Sequence, residues 1–185
     1  CEIKTLFRES NLGCRDAVRT ALDWFFSQEE AGIVLEDDCL PNSSFFRYCD
    51  ELLELYRDDS GVMAIGGTNV QDGQVRGDGS SYASKHFHCW GWASWRRAWA
   101  EYDGNLEFMD SSMERGLSLL ADGSVLFAPY WRQILRDIRS RRVDSWDYIM
   151  TLSSYALTGR GQERWHLTPN VNLVCNIGFG EDATH

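Results

Sequence analysis

The chain has 185 residues, 43% of them hydrophobic and 25% charged, which suits one globular domain with a real core. Its formal net charge of -10 argues against nucleic acid as the main partner, because binding a phosphate backbone needs a basic face. No apolar run approaches the roughly 18 residues of a membrane span, and the opening CEIKTLFRESN lacks the basic stretch and apolar core of a signal peptide.

In chain order, residues 2–7 (EIKTLF) read as a short strand and 11–13 as a turn. Residues 16–27 read as a helix, since Ala17, Ala21, Trp24 and Phe25 recur at helix spacing. The run AGIVLE, 31–36, is continuously apolar before its acid. A strand over 32–36 is therefore expected to be central, parallel and buried on both faces. Asn42, Ser43 and Ser44 are a capping signal before a helix over 45–57, where Phe46, Cys49, Leu52, Leu53 and Tyr56 share one side. Residues 62–65 form another apolar strand, followed by Gly66 and Gly67.

This alternation predicts an α/β fold with a mostly parallel, Rossmann-like sheet flanked by helices. Beyond it, 69–81 reads as a loop and 89–102 is Trp-rich. Residues 114–120, 130–140 and 146–157 read as helices, 166–175 as a loose strand and 178–185 as an irregular tail. The abrupt opening on a strand, and the stop at His185 after a Gly-rich stretch, lead us to expect a single domain over 1–185 that is a fragment truncated at both ends. Cys1, Cys14, Cys39, Cys49, Cys89 and Cys175 show no CxxC or zinc-like spacing, so free buried thiols in a reducing, cytoplasmic setting are expected.

The sharpest chemical feature is Glu36-Asp37-Asp38 at the end of the apolar strand. Ligands of open α/β sheets bind at the carboxyl ends of strands. Three adjacent carboxylates there repel one another unless something positive sits among them. A hard divalent cation is the natural partner, the ribose hydroxyls of a nucleotide another, and a solvated turn the plain alternative.

Asn11, Gly13 and Arg15 open the first helix, whose N-terminus offers N–H groups to an anion while Arg15 can reach a base or phosphate. Asp147 follows Ser145 and Trp146 at a late helix start. It reads either as a base beside an aromatic ring or as an ordinary first-turn acid. Trp92, Trp95 and Trp99 recur as on one helix face, a pattern more typical of core. Trp90 and Trp92 flank Gly91 and are the better candidates for stacking on a sugar. His185 could ligate a metal or phosphate, although a His at a chain end is by itself uninformative.

Taken together, NLGCRDAV, VLEDDCLP, GWASWRRAW, SWDY and NIGFGEDATH resemble a family of bacterial glycosyltransferases of the GT-A type, described as nucleotide-diphospho-sugar transferases or haemolysin-like proteins. The EDD and the Trp-Asp pair also look like those of N-acetylglucosaminyltransferase I. The resemblance spans nearly the whole chain and does not specify a sugar.

It implies a GT-A-like fold and Asp38 as ligand of Mn2+ or Mg2+, with His185 as a second. Glu36, Asp37, Asn11, Arg15, Gly91, Trp92 and Trp146 would lie around the substrates, and Asp147 would be the catalytic base. The implied partners are a nucleotide-sugar donor, UDP-sugar favoured, and a glycan or polysaccharide acceptor. The implied setting is cytoplasmic, with a peripheral place at the inner membrane left open. The family's first strand, which holds the nucleoside base, has no counterpart here.

The chemistry implied is inverting transfer, for which one positioned carboxylate suffices, whereas a glycoside hydrolase needs two across the bond. A sugar nucleotidyltransferase, a nucleotide-sugar hydrolase and a non-catalytic carbohydrate-binding module are the rival classes. The first should carry a Gly-rich phosphate loop with a Lys, and Lys4 and Lys85 lie in no such loop.

Overall fold

The computed structural model describes residues 2–107 and 111–179. Residues 2–7 form no strand. Ile3 and Phe7 are largely exposed, because the segment finds no neighbouring strand to pair with among the described residues. Helix α1 (Gly13–Gln28) comes next and turns Leu22 and Phe26 inward. Helix α2 (Ser43–Leu55) starts where its cap predicts: Asn42 Oδ1 accepts from the N–H groups of Ser44 and Phe45, at 3.0 and 3.1 Å.

The fold is α/β, but its sheet is mixed and mostly antiparallel. Strands β1 (Ala31–Val34), β3 (Val62–Gly66), β4 (Ser81–Ser84), β5 (Trp92–Trp95) and β6 (Trp165–Pro169) form one sheet in the order β1-β5-β3-β6-β4. Only β3 and β6 run parallel among these pairs. The short β2 (Cys39–Pro41) and β7 (Val174–Asn176) form a separate antiparallel pair.

The expectation of a central, parallel, two-sided strand at 32–36 is thus corrected. β1 lies at the sheet edge, antiparallel to β5, and all four of its residues are half-buried. Its apolar character comes from helix cover rather than strands on both sides. A Cβ on Gly32 would fall 2.3 Å from the Phe25 ring of α1, and α2 also packs on the strand. Trp92 and Trp95 lie on a strand, not a helix; only Trp99 is helical, in the short α3 (Arg96–Trp99). All three are buried, as a core stripe should be. The loose strand over 166–175 is really two, β6 and β7, in different sheets.

Helices α4 (Ser111–Leu120), α5 (Phe127–Arg139) and α6 (Asp147–Gly159) complete the chain. Every residue of α6 from Ile149 onward is buried. Such all-round burial needs partners on every side. Met150 joins the sheet core around Trp92, Phe45 and Ile65, while Ile149, Leu152 and Tyr155 join a second core with Leu117, Trp131 and Ile138. Helix α6 is therefore the wall shared by both cores, and its first residue is Asp147. None of the helices among the described residues is long and apolar enough to cross a membrane.

One buried polar group sets an acid limit on this fold. His166, 2% exposed, places Nε2 3.1 Å from Ser154 Oγ. That hydroxyl gives its proton to the Met150 carbonyl at 3.1 Å, so it accepts from Nε2–H and leaves Nδ1 as a bare lone pair. Nδ1 has no partner among the described residues. A second ring proton would therefore be buried without an acceptor, and burial, with His88 and His86 nearby, pushes the pKa down to about 3.

The unfolded chain takes up that proton near pH 6.5 and the folded protein does not, so stability falls as pH drops below 6.5. Urea unfolding at pH 6.5 and pH 5 should show a loss of about 2 kcal/mol from this group. His166→Gln should shrink the loss, and an equal loss in the variant would assign it to other groups.

Candidate carboxylate site

The chain leaves β1 directly into Glu36, Asp37 and Asp38, and the β2–β7 pair fixes where the last of these stands. Cys39 is in register with Asn176. Asn176 Nδ2 donates to Asp38 Oδ2 at 3.0 Å, and the N–H of Ile177 donates to the Asp38 carbonyl at 2.9 Å. Asn176 is itself held by the N–H of Gly178, 2.7 Å from its Oδ1. A Cβ on Gly178 would fall 2.5 Å from Asp38 Oδ2, so this close approach of the tail requires glycine.

The start of α6 brings the second group. Ser145 Oγ donates to Asp147 Oδ1, and Cys89 Sγ lies 4.0 Å from Oδ2. Trp146 Nε1 donates to Glu36 Oε1 at 3.1 Å, which ties the α6 start to the end of β1. Burial pushes the Glu36 carboxyl above the usual carboxylate range, against the hydrogen bond from Trp146. Asp38, Asp147 and Asp37 push in the same direction as burial. Among the described residues, the charged groups that act on Glu36 are Asp38, Asp147 and Asp37. On acidification Glu36 opposes His166, since a carboxyl raised on folding stabilises below its ordinary pKa and loses that contribution as pH rises.

Asp147 opens onto a cleft of about 210 Å3, which Thr68, His88, Cys89 and Trp90 also line. Trp90 is half-buried, and its ring meets Phe179 edge-on at 5.2 Å. A larger hollow of about 850 Å3 lies elsewhere, beside α2 and β1. Its Arg97 is spent on the carbonyls of Tyr56, Arg57 and Val62, and none of the site residues expected from the sequence lines it.

The structure corrects the ligand contacts expected at Trp92, Trp146 and Gly91, and gives Asn11 and Arg15 partners within the chain. Trp92 is wholly enclosed, and its ring stacks on Trp146 at 5.5 Å, so neither ring offers a face to a sugar. Trp146 acts instead through its N–H on Glu36. Gly91 is buried with φ of 64°, and a Cβ there would fall 2.7 Å from Val174, so it serves the packing of β7. Asn11 Oδ1 accepts from the N–H of Gly13, which caps the local turn. The N–H of Cys14 at the α1 start donates to Asp144 Oδ2 at 2.9 Å, so the chain's own carboxylate takes a donor expected to meet an anion. Arg15 Nη2 donates to the Gly104 carbonyl at 2.6 Å. Asp37 is exposed.

His185 lies outside the described residues. The five described cysteines are free thiols, but only Cys49 is buried; Cys14 and Cys175 are exposed.

The sequence placed Asn176 at the head of the NIGFGEDATH motif without a role for it, and did not single out Asp144, His88 or Cys89. Asn176 had a signal, an amide directly before a Gly-rich turn. The others are brought to the site only by folding.

The expected chemistry implies a divalent cation, and carboxylate oxygens such as those of Asp38 and Glu36 are donors of the kind it takes. Among the described residues no three His, Cys, Asp or Glu side chains converge to hold an ion. An ion of the Mg2+ type takes one or two carboxylates and completes its shell with substrate phosphates and water, and Asp38 fits that use. No model of a known protein family matches the chain, and a comparison with curated proteins finds no match.

Proposed function

We propose that the chain is the catalytic part of a metal-dependent, inverting glycosyltransferase that moves a sugar from a nucleotide-diphosphate donor to a glycan hydroxyl. One observation carries the reading: the hydrogen bond from Trp146 Nε1 holds the α6 start against Glu36, 110 positions away, so that Asp147 as well as the neighbouring Asp38 acts on the Glu36 carboxyl. A fold does not bring half-buried like charges together without cost. The arrangement suits a ligand that brings positive charge.

Asp38, steadied by Asn176, would hold the cation, whose chemistry is to neutralise the charge that develops on the departing diphosphate. Glu36, fixed by Trp146, would face the donor's hydroxyls. Asp147, at the mouth of the cleft, accepts the proton of the acceptor hydroxyl as that oxygen attacks the anomeric carbon and the C–O bond to the diphosphate breaks. Trp90 and Phe179 would form the aromatic rim, and Cys89 and Ser145 hold the Asp147 carboxylate in place.

Calorimetry with UDP and Mn2+ tests the donor half. Asp38→Asn keeps a carbonyl for Asn176 and so should melt like the parent. Its affinity for UDP in the presence of Mn2+ should fall about tenfold or more, that is about 1.4 kcal/mol. Unchanged affinity would move the metal site away from Asp38.

A further inference from the structure

The geometry points to an acceptor groove for a neutral oligosaccharide along the outer side of β4, ending at Asp147. The inference rests on the reading above, that Asp147 deprotonates a sugar hydroxyl. A groove of about 770 Å3 follows all four residues of β4, between the loop after Val70 and the segment 85–88. Val70 and His88 line both this groove and the Asp147 cleft, so the two adjoin at these residues. A chain lying in the groove presents its end to the carboxylate.

The walls are preformed. Asn170, 6% exposed, donates from Nδ2 to the carbonyls of Arg76 and Gly79 at 2.9 and 2.8 Å, and accepts from the Arg76 N–H at 2.8 Å. This buried amide pins the loop that overhangs β4. The Arg76 guanidinium is held at Gln71 Oε1, with Nη2 at 2.6 Å, and lies 5.5 Å from the centre of the half-exposed Tyr82 ring. Such fixed walls cost a ligand little ordering.

Charge selects the ligand class. Arg76 and Lys85 on the groove are matched by Asp78 and Asp122. The Lys85 ammonium is already spent on the Leu120 carbonyl, 2.6 Å away, and on the Phe127 ring. Neither an anionic nor a cationic ligand is favoured. What remains is the Tyr82 ring, Ser84 on the same face of β4, whose hydroxyl accepts from the His86 N–H and keeps its own proton to donate, and the polar edge of a strand that ends the sheet. An aromatic face beside convergent donors and acceptors matches a pyranose, with its C–H face and rim of hydroxyls.

His88 stands at the junction. Burial keeps its imidazole neutral. A neutral imidazole both donates and accepts. It is placed to hold a hydroxyl next to the one that Asp147 deprotonates.

An array of short neutral, sialylated and phosphorylated oligosaccharides tests the groove without relying on turnover. The wild-type protein should retain neutral members. Tyr82→Ala should lose retention about tenfold, Tyr82→Phe should keep it, and both should bind UDP with Mn2+ as the parent does. Retention unaffected by Tyr82→Ala, retention of charged members alone, or no retention by wild type overturns the groove while leaving the donor site standing. Tyr82-dependent retention by a protein that binds no UDP overturns the donor reading and leaves the groove.

Discussion

Asp147→Asn is expected to lower sugar transfer by about 10²–10⁴, the range general-base catalysis supplies, with binding of UDP and Mn2+ unchanged. The amide is nearly isosteric and can still accept from Ser145, so the α6 start should keep its shape. What it loses is the capacity to take a proton.

The position favours this role over that of a helix-start acid. Asp147 lines a cleft, whereas Trp146 beside it is enclosed in the core. A variant that transfers at the parental rate would remove Asp147 from the mechanism. A variant that also loses UDP binding would place the residue in the donor site instead.

Gly116→Ala is expected to cost about 2–4 kcal/mol. A Cβ at Gly116 would fall 1.9 Å from the carbonyl oxygen of Tyr155, and one at Gly159 would fall 1.8 Å from that of Ser112. Both obstacles are backbone, so no side chain can swing aside. Helices α4 and α6 would have to separate, opening the core around Met113, Leu117 and Tyr155.

The loss outweighs the roughly 0.5–1 kcal/mol that Gly→Ala gains in an open helix. At about 2–4 °C per kcal/mol for a chain of this size, the melting temperature should fall by about 5–15 °C. Ser118→Ala, on the exposed side of the same helix, should leave it unchanged or slightly raised. An unaltered melting temperature in Gly116→Ala would mean that the helices do not cross there.

Local chemistry was legible in the sequence because its causes are local. Asn42 caps α2 through its own side chain, two and three residues away, and periodicity marked α1, α2 and α6 within a few residues. The acidic triplet at the end of an apolar strand, and Asp147 at a helix start, were visible for the same reason.

Direction and neighbourhood were not. Four apolar residues, Ala31 to Val34, look alike whether two strands or two helices cover them, so only packing against Phe25 and pairing with β5 placed β1 at the edge. An aromatic residue beside a glycine suits a sugar platform or a core equally, and the stacking of Trp92 on Trp146 chose the core. Contacts such as Trp146 to Glu36, 110 positions apart, and Asn176 to Asp38, 138 apart, leave no periodic trace in a single chain. They exist because the two cores meet at α6, which sets its first turn against the end of β1, and because β7 returns beside β2.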